Sequence, residues 1–372
     1  MACHHNGARS ARFRWLIMSD RLAEARSTVT ALLREVRRRG MAESEVHYLR
    51  FLAETELRAG QCGRALALAR ESLTLARDAG IGEGASTMQA ALAEAAGGDV
   101  GRALELAREA VDRAEEDGDA VYLSRTLAAL GHAQLVADDT RAAVETLRRV
   151  RQLEAGAGIT DPARGRWQGD LAEALVRLRE PAEAQEVIDV TRTHALRLGR
   201  ESVLADLDRV EALVRAERGE HEAAVAQLTS ARDRLAKLGL GLEEARTAFT
   251  LASLPARRPD PAAYDEAARL FRRCRALPWL RRVEAAAAEA ASRPAQAPAA
   301  TGALPAACLE ALASMERQVA ALVMEGATNR EIAGRLFVSV KTVEATLTRV
   351  YRKLGIRSRV DIVRLAAGQH RH

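Results

Sequence analysis

Apolar residues recur along this chain at steps of three and four, the spacing that lines one face of an α-helix. In one stretch Leu66, Ala69, Leu73 and Ala76 form such a stripe. In another, Val343, Leu347, Val350 and Leu354 do so, with Lys341, Thr342, Glu344, Ala345, Thr348, Arg349 and Arg352 on the opposite face. The pattern also repeats on a longer scale. Ala25, Ala65, Ala103, Ala143, Ala184 and Ala224 open similar helices, at spacings of 40, 38, 40, 41 and 40. Gly40, Gly80, Gly118, Gly158, Gly199 and Gly239 each follow the matching alanine by 15 residues. Chance rarely keeps two landmarks at one offset over six units, even in an alanine-rich chain. The glycine fits the left-handed stop after a helix, where a Cβ is costly.

Each unit therefore reads as a first helix, a short turn, a second helix starting near the alanine, and a glycine stop. The turns hold Gly60, Gly97-Gly98, Asp138-Asp139, Glu180-Pro181 and Gly219. A lone hairpin cannot bury its apolar faces, but about seven stacked hairpins can. Leu127, Leu130, Gly131 and Ala143 resemble the tetratricopeptide pattern: a large residue, Leu-Gly, then a small residue at the helix crossing. The period near 40 exceeds that repeat's usual length of about 34, so the array over residues 11–290 is tetratricopeptide-like. The likeness implies a concave groove for a peptide or protein; the plainer alternative is a rigid spacer. Residues 1–10 are expected to be disordered, and the first unit has a shortened first helix near Ala11–Asp20. Pro261 and Leu277-Pro278-Trp279 mark a degenerate last unit. Residues 291–305, rich in Ala and Pro with Arg293 the sole charge, read as a flexible linker.

The remaining segment, residues 306–372, carries two helix starts in quick succession. Thr328 and Glu331 form a capping box, each satisfying a backbone N–H of the other. Ile332, Ala333 and Leu336 make the inner stripe of that helix. Phe337-Val338-Ser339 turns the chain, and Ser339 caps the next helix, which Gly355 ends. Ser358 and Asp361 look like the start of a last helix, to about Ala367. Two helices with a turn of about three residues are the sequence form of a helix-turn-helix, whose second helix enters a DNA major groove. The alternative is an amphipathic pair with a merely solvated charged face. The short double-capped turn and the mostly positive outward face favour DNA.

This segment resembles the DNA-binding domain of LuxR-type transcription regulators. The resemblance runs from about Leu312 to Leu365. It rests on Glu316-Arg-Gln-Val-Ala320, Glu325-Gly326, Thr328-Asn-Arg-Glu-Ile-Ala333, Leu336-Phe-Val-Ser-Val-Lys-Thr-Val343 and Tyr351-Arg-Lys-Leu-Gly-Ile-Arg-Ser-Arg359. It implies a small four-helix domain whose third helix reads bases and whose fourth often mediates dimer contacts. Carried over by position, Glu344, Ala345 and Thr348, with Arg349 beside them, contact base edges. Lys341, Thr342, Arg352 and Lys353 contact phosphates. The family's usual Thr after the first leucine is Ala313 here, so that cap is lost unless Ser314 substitutes, at about 1 kcal/mol. The family often has His where this chain has Thr346, a change expected to adjoin the reading face. So few base contacts call for a homodimer on two half-sites of double-stranded promoter DNA.

Composition sharpens this reading. Aromatic residues are 3% of 372, and the formal net charge is +5. The positive excess lies from Leu304 onward, while the rest is near neutral; that is the electrostatic footprint of a nucleic-acid module. Cys3, Cys62, Cys274 and Cys308 are scattered without metal-like spacing, and Cys3-His4-His5 reads as a terminus rather than a metal site. His47, His132, His194 and His221 fall in different units and suggest neither catalysis nor metal. No apolar run approaches a membrane span, and no secretory signal is present, so a cytoplasmic protein is expected. A tetratricopeptide-like array before a LuxR-type module resembles the C-terminal part of the large ATP-binding LuxR regulators, as a stand-alone chain or after loss of the upstream part. Lys237, Lys341 and Lys353 are the only lysines and none follows glycine, so there is no phosphate-binding loop. The expectation is an all-α, cofactor-free, non-enzymatic transcription regulator whose array senses a protein or ligand. The alternative is an interaction scaffold whose helix-turn-helix no longer binds DNA.

Overall fold

The computed structural model describes residues 8–254, 260–292, 312–324, 327–336, 338–356, 358–359 and 361–362. Among them are eighteen helices and no strand. The first fifteen are α1 (Ala8–Met18), α2 (Leu22–Arg38), α3 (Ala42–Arg58), α4 (Cys62–Ala79), α5 (Glu83–Gly97), α6 (Val100–Asp117), α7 (Ala120–Val136), α8 (Thr140–Gly156), α9 (Trp167–Arg177), α10 (Pro181–Leu198), α11 (Glu201–Glu217), α12 (His221–Lys237), α13 (Gly241–Ala252), α14 (Pro261–Cys274) and α15 (Leu277–Ser292). The last three are α16 (Ser314–Met324), α17 (Asn329–Leu336) and α18 (Val340–Leu354). The chain divides into two compact units between Ala291 and Ser292. Cys3, His4, His5, Cys308, Phe337, the linker past Ser292 and the last helix past Ile362 lie outside the described residues.

In the first unit α1 to α14 pair as seven successive hairpins. The two landmarks of the sequence explain the pairing. All six register alanines are fully buried at 0% exposure. Each lies in the first turn of a second helix, where a larger side chain would hold the neighbouring helix off. The six matching glycines have φ between 63° and 73°, the left-handed region that stops a helix. Gly131 marks the α7–α8 crossing: a Cβ there would lie 2.4 Å from Leu147 Cδ2. The degenerate end forms α14, which starts at Pro261 behind the Asp260 cap, and α15, whose Trp279 stacks on Phe271 with ring centroids 5.9 Å apart.

The period does not reveal how far the array curls. Its second hairpin meets its seventh: a Cβ on Gly60, at the end of α3, would lie 2.8 Å from the Leu242 backbone nitrogen at the start of α13. The Arg58 guanidinium donates to the carbonyls of Ile17 (3.1 Å) and Ala163 (3.0 Å). Arg200 donates to the Met18 carbonyl at 3.1 Å, and the Ser202 N–H donates to the Asp20 carboxylate at 3.1 Å. The first helices of the hairpins thereby face one another across a shared interior.

In the second unit Val319, Ala320, Val323, Ile332, Val343, Leu347 and Val350 form a small apolar core, with Leu312 and Ile362 closing its ends.

Candidate nucleic-acid interface and the cavity of the array

Caps fix the helix-turn-helix. The Glu331 carboxylate accepts from the Thr328 N–H at 2.6 Å, and the Thr328 hydroxyl accepts from the Glu331 N–H at 3.3 Å. The Thr328 N–H and hydroxyl hold the Glu331 carboxyl below its usual range. At the next start, Ser339 Oγ accepts from the Thr342 N–H at 3.1 Å. At the far end Gly355, with φ 67°, lets the Ile356 N–H return to the Tyr351 carbonyl at 3.0 Å. These bonds satisfy backbone groups that a helix end otherwise leaves open.

The orientation of α18 follows. Val343, Leu347 and Val350 are buried, whereas Lys341, Thr342, Glu344, Ala345, Thr348, Arg349, Arg352 and Lys353 are all exposed. The structure thus brings all eight proposed contact residues onto one helix surface. Four of them are already engaged, Arg349 through the Thr346 hydroxyl at 3.2 Å. Thr342 Oγ1 shares a hydrogen bond with Ser339 Oγ at 2.8 Å, and the Thr348 hydroxyl donates to the Glu344 carbonyl at 3.0 Å. The Lys353 ammonium lies 2.6 Å from Glu316 Oε2, tying the end of α18 to the start of α16.

Two sequence expectations gain detail here. Thr346, expected beside the reading face, is buried at 1% exposure; its hydroxyl donates to the Thr342 carbonyl at 2.8 Å and accepts from Arg349 at 3.2 Å. The buried stripe of α18 is one residue wider than the apolar pattern indicates, because a back-bonded threonine hydroxyl needs no water. Ser314 does not replace the missing cap, since it is the first residue of α16. Half the capping box survives instead: the Ala313 N–H donates to Glu316 Oε2 at 2.8 Å. Lys353 and this N–H together hold the Glu316 carboxyl below its usual range.

The array holds the second candidate site, which the sequence reading missed. A cavity of about 150 Å³ opens inside the curl. Its wall comes from the first helices of the hairpins, α3, α5, α7, α9, α11 and α13, and from the loop before α9. In this loop Asp161-Pro-Ala-Arg-Gly-Arg166 displaces the opening turns of a first helix, so α9 has 11 residues where α7 and α11 have 17. Arg166 adopts φ 54°, a costly conformation for a branched-free but Cβ-bearing residue. The Pro and Gly of this loop were the available signal.

At the cavity's edge lies a buried ionic node. Arg246 Nη2 contacts Asp170 Oδ1 (2.8 Å) and Glu173 Oε2 (3.2 Å), and Arg209 Nη1 contacts Glu173 Oε2 (2.8 Å). His132 Nδ1 lies 2.7 Å from Asp170 Oδ2. Burial would raise the Asp170 and Glu173 carboxyls, but the surrounding cations outweigh it and hold both well below their usual range.

Comparisons with known proteins agree with this division. Residues 310–366 match the luxR family of bacterial regulatory proteins. A protein of Mycobacterium tuberculosis described as an HTH-type transcriptional regulator is 55% identical over 56 residues, 15% of this chain and 6% of that protein. The oxygen regulatory protein NreC of Staphylococcus aureus is 46% identical over 55 residues, 15% of this chain and 25% of that protein. The chain thus spans only a small part of these relatives. The array shares its fold with a Rap protein solved in complex with Competence and Sporulation Factor: TM-score 0.56 and 14% identity, over 75% of this chain and 74% of that one. The chain therefore carries a C-terminal LuxR-type helix-turn-helix DNA-binding domain, residues 310–366, preceded by a tetratricopeptide-like helical repeat array.

Proposed function

We propose that the chain is a sequence-specific transcription regulator whose residues 306–372 read promoter DNA while residues 11–290 sense a protein or ligand. The carrying observation is the surface of α18: its apolar side is locked into the core while its polar and basic side stays in solvent. Glu344 accepts from a cytosine amino group, Ala345 meets a thymine methyl, and Thr348 and Arg349 reach neighbouring base edges. Lys341, Thr342 and Arg352 meet phosphates, and Lys353 does so with its ammonium already oriented by Glu316. So short a reading surface calls for a homodimer on two half-sites. No helix among the described residues is long and apolar enough to cross a membrane, in keeping with a cytoplasmic regulator. The curl of the array and its interior cavity support the sensing role, without catalysis or a cofactor.

Genomic binding-site mapping tests the reading, with wild type beside Lys341→Ala/Arg352→Ala. The wild type should occupy discrete sites and the variant should lose them. In vitro, the variant's affinity should depend less steeply on salt, by about two units of slope, because two phosphate contacts are gone. Identical, unstructured occupancy by both proteins would instead favour a scaffold that no longer binds DNA.

A further inference from the structure

The charges in the cavity wall are unequally matched. Every wall carboxylate already has a cation. Glu54 pairs with Arg58 at 3.0 Å, Asp170 with His132 and Arg246, Asp206 with Arg209 at 2.9 Å, and Glu243 with Arg246 at 3.3 Å. Three wall cations are left over. Arg125 of α7 and Arg164 and Arg166 of the inserted loop line the cavity, each half-buried, and make no ion pair with an acid among the described residues. The loop that breaks the repeat is thus the element that delivers two of them. Burial and the charge of Arg125 depress the Arg164 guanidinium. Nearby Arg50 is pushed down to about 10, first by burial and then by Arg125. Glu154 and Asp119 near Arg164, and Glu54 near Arg50 and Arg125, offset only part of this burden, because both Arg50 and Arg164 stay depressed. Like charges held together oppose folding, and a bound anion would relieve the remainder.

A second observation points the same way. Gln89 of α5 lines the cavity at 2% exposure, and its Nε2 has no hydrogen-bond partner in the protein. A buried donor without an acceptor gives up its bond to water and gains none in return. Leu57, Met88, Leu92 and Trp167 supply apolar wall between these donors. A cavity of about 150 Å³ suits a small molecule rather than a folded partner.

We propose that this cavity binds a small organic anion bearing at least two phosphate or carboxylate groups, held by Arg125, Arg164 and Arg166, with Gln89 donating to an acceptor on its body. Guanidinium groups match such oxyanions with paired, charge-assisted hydrogen bonds. The proposal rests on the array being the sensing part of the chain, and it names the class of signal.

The test is calorimetric titration of the full chain with pyrophosphate and, separately, with citrate, at constant ionic strength. Wild type should show one saturable site for at least one probe. Saturation by pyrophosphate alone assigns phosphate groups to the site; saturation by citrate alone assigns carboxylates. Arg125→Gln/Arg164→Gln should weaken that binding at least tenfold, whereas Lys341→Ala/Arg352→Ala in the DNA-binding domain should leave it unchanged. Gln89→Leu should weaken it several-fold without lowering the melting temperature, and it decides the matter if the double arginine variant does not fold. No saturable binding of either probe overturns the proposal, as does binding that survives both sets of cavity substitutions. Neither outcome touches the DNA-binding reading, which the promoter mapping addresses separately.

Discussion

The two units of this chain use arginine in opposite ways. In the array Arg209 and Arg246 are buried, at 1% and 5% exposure, among four carboxylates. In the DNA-binding domain Arg349 and Arg352 stay in solvent, and its described core is apolar but for Thr346 and Glu316. Burying a charge costs several kcal/mol unless partners surround it, so the array spends its ion pairs on its own architecture. The node joins His132 of the fourth hairpin, Asp170 and Glu173 of the fifth, Arg209 of the sixth and Arg246 of the seventh. Alanine-rich faces offer little shape to fix the order of stacking, and directional ion pairs supply it. A reader of DNA needs the reverse: cations exposed where a partner's phosphates can reach them.

The strongest way to break this contrast is Arg246→Met. It leaves Asp170 and Glu173 short of a cation, and removing one partner of a buried network destabilises by about 3–5 kcal/mol. Calorimetry of the full chain should show the array's transition fall while that of the DNA-binding domain stays in place. Adding Asp170→Asn should recover part of the loss, because Arg246 is the one arginine paired with Asp170 among the described residues. An unmoved array transition would show that the node contributes nothing to stacking. Next in size is Gly131→Ala, since its Cβ would meet Leu147 Cδ2 at 2.4 Å. Overpacking of this kind costs about 1–3 kcal/mol, again in the array alone.

These two substitutions also divide what the sequence makes legible from what it hides. Gly131 announces itself beside Leu130, and the alanine and glycine register predicts all six second helices with their stops. Local rules govern such positions: a small residue at a crossing, a left-handed stop. The helix-turn-helix is legible for the same reason, because its caps lie within three residues of their partners. Arg246 and Arg209 look like ordinary surface charges in their sequence context. Their burial depends on partners 76 and 36 residues away, brought near by the curl of the array. The cavity is hidden in the same way. Arg125, Arg164 and Gln89 come from three separate elements, and no spacing along the chain connects them.

Smaller effects separate the units from the other side. Ser339→Ala removes the acceptor for the Thr342 N–H and should cost about 1 kcal/mol. Only the melting transition of the DNA-binding domain should fall. DNA affinity should fall with it, because the start of α18 carries Lys341 and Thr342. A stability loss with unchanged affinity would place the reading surface elsewhere.

The smallest predicted change is a gain. Ala313 occupies a cap position whose Glu316 half is already in place, with its carboxylate accepting from the Ala313 N–H at 2.8 Å. Ala313→Ser supplies the missing hydroxyl, which can accept from the Glu316 N–H and complete the box. The expected gain is about 0.5–1 kcal/mol, seen as a higher melting temperature of the DNA-binding domain alone. The gain depends on pH with a definite sign. Lys353 and the Ala313 N–H depress the Glu316 carboxyl, so its contribution is fully present above the ordinary glutamate value of about 4.3 and is lost as pH falls through the depressed value. Thr328 depresses Glu331 likewise, so the second box weakens in the same window. The serine's own acceptor does not titrate. A stabilisation that persists into acid after the Glu316 contribution has gone would therefore assign the gain to the hydroxyl, and one that vanishes with it would show that the two halves of the box act only together.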